Sequence, residues 1–221
     1  MSKITIKGIE VEYDYMNLTY ENSKALDKNI AKDNLFKFKN IMDENNVDII
    51  LMYGTLLGAV REKDFIEHDI DIDLICFSEI ELIKSINNLI ISGFKFVRYE
   101  KESKTYSFIR NDCYIDVYIV SHVKGLLGLF YYNLCGKLYP KGLLKSFKYI
   151  DFIGGSFLAP KKIEDNLVYC YGDDWRTPIA NKPGVHESKW QIKIKKVISK
   201  FLPKNILTFI INYYKNSLDK N

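Results

Sequence analysis

Residues 53–74 read YGTLLGAVREKDFIEHDIDIDL, and the punctuation of this stretch decides the fold. Residues 70–77 (IDIDLICF) begin by alternating apolar and acidic side chains, the period-2 pattern of a strand with one buried face. Asp71 and Asp73 then share one face, while Ile70, Ile72 and Leu74 share the other. Aspartates at i and i+2 of a strand point the same way, about 7 Å apart at Cα. Upstream, residues 47–53 (VDIILMY) predict a buried strand that runs straight into Gly54-Thr55 and a short helix over 56–61. Glycine lets backbone approach a ligand closely, and the free N–H groups of a helix start attract phosphate.

Outward from that stretch, residues 4–13 (ITIKGIEVEY) alternate about Lys7-Gly8 and predict an opening β-hairpin. Residues 25–45 lack Gly and Pro, and Leu35, Phe38 and Met42 recur at helical spacing. Ser78 with Glu81 three residues on predicts a capping box, Gly93 a helix stop, and Ile83, Ile86 and Ile90 an inward stripe between them. Strands are predicted near 94–99, 105–110 and 113–120, a helix over 124–135, and a last helix opened by Pro160 and stopped by Gly172. This order predicts an α+β fold of the nucleotidyltransferase-like kind, a mixed sheet flanked by helices. The expected organisation is a catalytic domain over 1–188 and a basic amphipathic tail over 189–221.

Charge is unevenly spread: residues 189–221 hold eight lysines against Asp219 alone, which leaves the rest of the chain slightly acidic. A nucleic-acid surface spread over the domain is therefore not expected. Cys76, Cys113, Cys135 and Cys170 form no C-x-x-C pair and sit among apolar neighbours, as buried reduced thiols do. No apolar leader opens the sequence and no run reaches the length of a membrane span, so the expected location is cytoplasmic.

A third acid, Asp116, lies inside the apolar strand YIDVYIV (114–120). A buried carboxylate is costly unless it is paired or bound to a cation. Each piece alone has an ordinary reading: a Gly-Thr turn is common, a D-x-D pair is usually a solvated face, and Asp116 could meet a lysine. Three strand-borne acids in this order, close to a Gly-Thr helix start, instead point to a site for Mg²⁺ or Mn²⁺ and a phosphorylated substrate.

In this pattern the sequence resembles the nucleotidyltransferase superfamily, and more narrowly the LicD family. Residues 54–74 (GTLLGAVREKDFIEHDIDIDL) resemble its G-T-L-L-G-x-x-R stretch and closing D-x-D. Residues 171–178 (YGDDWRTP) resemble its downstream Y-G-x-x-W-x-x-P signature. The resemblance implies transfer of a phospho-alcohol, most often phosphocholine, from a CDP-linked donor to a hydroxyl of a cell-surface glycan or lipid-linked glycan. It implies Asp71 and Asp73 as metal ligands and Asp116 as a ligand or the base. It also implies Arg61 as a contact to donor phosphates, with Gly54 and Thr55 lining them. Trp175 is expected either to pack in the core or to stack on ligand. The family's W-D-D-D-x-D departs here to His68-Asp69-Ile70-Asp71-Ile72-Asp73, which leaves the part of Asp69 open.

Two other readings share these residues: a nucleotidyltransferase moving a nucleoside monophosphate from an NTP, and a non-catalytic glycan- or membrane-binding domain. The tail, with Trp190, Ile192, Ile194, Val197 and Ile198 among lysines, fits peripheral contact with the inner face of a membrane. It equally fits a helix packed on the domain, or an oligomer interface.

Overall fold

The computed structural model describes residues 2–17 and 24–178. They form two compact units, one ending at Lys161 and a second from Lys162 onward. The boundary expected at 188/189, and the whole basic tail, lie outside the described residues.

The first unit opens with β1 (Ser2–Ile6) and β2 (Ile9–Tyr13), an antiparallel hairpin turned by Lys7 and Gly8, both at positive φ. Helix α1 (Lys28–Glu44) starts where the Asp27 carboxylate accepts from the N–H groups of Asn29 and Ile30. That cap satisfies donors which a helix start leaves without partners. Strand β3 (Ile50–Leu51) is shorter than the predicted 47–53, because the chain has already entered α2 (Tyr53–Arg61) at Tyr53. Strand β4 (Asp71–Cys76) and helix α3 (Glu79–Ile91) follow. Then come β5 (Lys95–Glu100), β6 (Thr105–Arg110) and β7 (Cys113–Ile119), close to the predicted limits.

Beyond β7 the predicted helix over 124–135 is replaced by a 3-10 turn at Leu126–Leu129 and strands. Gly125 takes a positive φ, and a side chain at Gly128 would run into the Val123 carbonyl, so the segment turns tightly instead of continuing a helix. The short strands β8 (Ser121–His122), β9 (Tyr131–Leu134) and β10 (Lys137–Pro140) form a separate three-stranded sheet in the order β10-β9-β8. A hairpin of β11 (Phe147–Phe152) and β12 (Gly155–Pro160) was not legible in the sequence, and Pro160 ends a strand where a helix start was expected. In the second unit, α4 (Ile163–Tyr171) does stop at Gly172, which adopts positive φ.

The main sheet is mixed and runs β11-β12-β3-β4-β7-β6-β5. Strands β4 and β7 are parallel neighbours in register, as are β12 and β3; the remaining pairs are antiparallel. One face is apolar: Phe38 of α1 meets the rings of Phe94 and Phe108 edge-on at 5.6 and 5.4 Å. Helix α3 buries Leu82, Ile83, Ile86 and Leu89, so the inward stripe closes on Leu89 and not on the predicted Ile90. The predicted capping box does not form. Ser78 makes no side-chain cap bond, and Glu81 pairs with Lys84 at 2.9 Å in place of reaching back. No described helix is long and apolar enough to cross a membrane.

Phe38 is fully enclosed between those two rings. Phe38→Ala should lower stability by about 3–5 kcal/mol in urea unfolding, the cost of lost transfer energy plus a cavity.

Candidate active site

Register builds the site. On the parallel pair β4–β7, Asp73 stands directly opposite Asp116, and both side chains leave the sheet on the face away from α1. On the next strand Ser107 faces Asp116, and beyond it Arg98 faces Ser107. A polar row therefore crosses four strands of the sheet, on the side opposite Phe108 and α1.

The row is tied together by hydrogen bonds. Arg98 Nη2 donates to Asp116 Oδ2 at 2.6 Å, and its Nε donates to Ser107 Oγ at 2.8 Å. Tyr118, two residues along β7, donates from its hydroxyl to Asp73 Oδ1 at 3.0 Å and to Asp116 Oδ2 at 3.4 Å. Arg98 and Tyr118 were not singled out in the sequence. Arg98 in particular was hidden by a β-bulge: Phe96 pairs with Phe108 on the apolar face, yet Arg98, two residues on, pairs with Ser107 on the acid face. Plain alternation would have put Arg98 on the same side as Phe96.

The start of α2 closes on this row from the side. Gly54 N–H donates to Asp73 Oδ2 at 2.9 Å, and the Asp73 N–H donates to Thr55 Oγ1 at 2.8 Å. Thr55 is 1% exposed, and its hydroxyl holds the Asp73 backbone from beneath. Gly54 leaves room for the acids. A Cβ there would lie 2.6 Å from Asp69 Oδ2 and 3.2 Å from Asp73 Oδ2. Asp69 thus belongs to the cluster, and its Oδ2 is buried with no hydrogen-bond partner.

Four carboxylates in one low-dielectric region repel one another. Burial, then the charge on Asp71, pushes Asp69 up to about 7. Burial, then Asp69 and Asp116, pushes Asp73 up to about 8, against the pull of the Gly54 N–H and the Tyr118 hydroxyl. Asp71 is raised well above the ordinary carboxylate range by burial, then by Asp73 and Asp116. Such a cluster is relieved by protons or by a divalent cation.

The donor set is all hard oxygen, with an orphaned carboxylate oxygen among it, which fits Mg²⁺ or Mn²⁺ in kind. Among the described residues no group of three or more acidic, His or Cys side chains is placed to hold a metal ion. An open arrangement of one or two carboxylates completed by phosphate and water is the usual habit of Mg²⁺.

Two further residues were singled out in the sequence. Arg61 ends α2, about 10 Å along the helix axis from Gly54, with its Nε on Glu62 at 2.6 Å. Trp175 lies in the second unit, 4% exposed, with the Arg176 guanidinium 4.3 Å over its ring. That burial matches the packing alternative.

A family model described as "LicD/FKTN/FKRP, nucleotidyltransferase domain" matches residues 46–162, more than half of the chain. Comparison with individual curated proteins gives no match. The matched span holds α2, the strands β4 and β7, and every member of the polar row.

Two measurements check this geometry. Gly54→Ala should cost about 1–3 kcal/mol in urea unfolding by crowding the Asp69 and Asp73 carboxylates against the start of α2. Gly142→Ala, where an added Cβ meets nothing within 4 Å, should be close to neutral. The second measurement is pH dependence in metal-free buffer. Asp69 and Asp73 sit above their ordinary 3.8, so the folded chain binds more protons than the unfolded chain across this window. Their contribution to stability therefore falls as pH rises from about 4 to 8. Asp73→Asn should flatten that slope in melting curves and raise the melting temperature at pH 8.

Proposed function

The chain belongs to the LicD/FKTN/FKRP nucleotidyltransferase-domain family, a family of transferases, and on that premise we propose that it transfers a phospho-alcohol from a CDP-linked donor to a glycan hydroxyl. The single observation that carries this reading is the in-register placement of Asp73 against Asp116 beside the Gly54 helix start. Carboxylates and the start of a helix then meet where a diphosphate and its cation would be received.

Asp71 and Asp73 would hold Mg²⁺ or Mn²⁺, with Asp116 behind them. When bound, the cation offsets the charge of the diphosphate oxygens and draws electron density from the phosphorus under attack. In the transfer, the acceptor oxygen forms a bond to the phosphorus that carries the alcohol. The bond from that phosphorus to the bridging oxygen breaks, and CMP leaves with the electron pair. The acceptor proton needs a nearby base. Asp116 is 1% exposed and clamped by Arg98, which suits it to fixing the row more than to meeting an acceptor. Asp69 is half-buried and carries an oxygen with no hydrogen-bond partner, which leaves it able to take up a proton from an acceptor. We assign it that part.

Thermal stabilisation by a donor panel tests the reading: CDP-choline, CDP-ethanolamine, CDP-glycerol, CDP-ribitol, ATP, CTP and UTP, each with and without Mg²⁺. A donor at about 100 times its dissociation constant adds roughly 2.7 kcal/mol of stability. The expected result is a Mg²⁺-dependent rise with one CDP-alcohol that is absent in Asp73→Asn. A response to NTPs alone would replace the phospho-alcohol donor by an NTP. Silence across the panel would leave a binding domain.

A further inference from the structure

Between Asp116 and Asp151 the chain contains no acidic residue, yet it carries Lys124, Lys137, Lys141, Lys145 and Lys148. The same excursion holds the densest group of exposed large apolar side chains among the described residues: Leu126 at 75%, Leu129 at 67%, Phe130 at 62% and Leu138 at 39% exposure. Apolar side chains this open in a short turn contribute nothing to the core, so their exposure calls for a use.

The turn that presents them is built tightly. Gly125 adopts positive φ, Gly128 packs against the Val123 carbonyl, and Gly128 N–H donates to the Gly125 carbonyl at 3.0 Å. Leu126, Leu129 and Phe130 are thereby held outward. The lysines are interleaved with them. Lys124 precedes the turn and is exposed, and Lys137 adjoins Leu138 on the outer strand β10. The Lys141 N–H donates to the Phe130 carbonyl at 2.8 Å, which sets that lysine beside the phenylalanine. Its ammonium lies 4.9 Å over the Tyr132 ring.

We propose that this excursion, residues 124–141, is a docking surface for an anionic lipid bilayer. Leucine and phenylalanine enter the head-group boundary, and the lysines meet lipid phosphates. Charge complementarity selects this occupant: an acid-free apolar patch ringed by lysines matches a surface that is negative and apolar beneath. The excursion also touches the acid site. It leaves directly from β7, which carries Asp116 and Tyr118, and Cys135 in its β9–β10 turn lies 3.7 Å from the hydroxyl of Tyr53, next to Gly54. Docking there brings the acids to the lipid surface. Vesicle binding is read without donor or acceptor, so it holds whatever group the site transfers.

The test is co-sedimentation of the full chain with phosphatidylcholine vesicles, with and without about one-third phosphatidylglycerol. Two variants accompany it, each checked for an unchanged far-UV spectrum and melting temperature: Leu126→Ser/Leu129→Ser/Phe130→Ser, and Lys124→Glu/Lys137→Glu. Binding to the anionic vesicles alone is expected, weakened at least about tenfold by either variant, with a smaller salt dependence in the second. Failure of the unaltered chain to bind anionic vesicles overturns the proposal. Binding that both variants retain overturns it too, because the contact then lies in another segment such as the basic tail. Self-association that the serine variant abolishes, with vesicle binding unchanged, assigns the patch to a second copy instead.

Discussion

Everything at the centre of this fold is arranged around a repulsion. Asp69, Asp71, Asp73 and Asp116 are kept together in a region where burial first, and the neighbouring carboxylates second, hold Asp69, Asp71 and Asp73 above the ordinary carboxylate range. Left to itself, such a cluster would take up protons or spread apart. It is held by the parallel register of β4 and β7, by the Thr55 hydroxyl under the Asp73 backbone, and by the Gly54 N–H on its carboxylate. Local strain of this kind is a feature of sites whose substrate or cation completes them.

The apolar face of the sheet supplies the rigidity for that arrangement. Because side chains alternate, every residue that sends an acid to one face is flanked by residues that send Ile72, Leu74, Ile115 and Val117 to the other, all fully buried. A shift of register by one residue would turn the acids into the core and the apolar set outward. Core packing against α1 and the placement of the acids are therefore one constraint seen from two sides. Arg98 adds a guanidinium to the acid row, and its pairing with Asp116 offsets one of the four charges.

The excursion between β7 and β11 has a different physical character. Its sheet is small, its turn is glycine-built, and its lysines face no acid within the segment. It buries Leu134 and Tyr139, presents Leu126, Leu129, Phe130 and its lysines outward, and brings Cys135 to Tyr53 beside the site. A transferase acting on an acceptor held at a lipid surface would need some such element.

Much of this was legible in the sequence, for reasons of period. The hairpin about Lys7-Gly8, helix α1, the alternation of β4 and the three strands from 95 to 119 follow from strong patterns, and Gly54, Asp71, Asp73 and Asp116 stood out because acids within apolar strands are rare. The short segments were not legible: β3 is cut to two residues by a helix that begins at Tyr53, and the apolar run 124–135 reads as helix until its glycines are seen to turn it. Long-range contacts were beyond reach as well. Arg98 joins Asp116 only because a bulge reverses its face, Asp69 joins the cluster only because α2 brings Gly54 against it, and Thr55 turns inward to hold backbone. The sequence by itself determined which residues carry charge and where the chain alternates, since these are properties of near neighbours. Which charges meet was decided by strand register, a bulge and one glycine's missing Cβ, since these depend on the whole sheet.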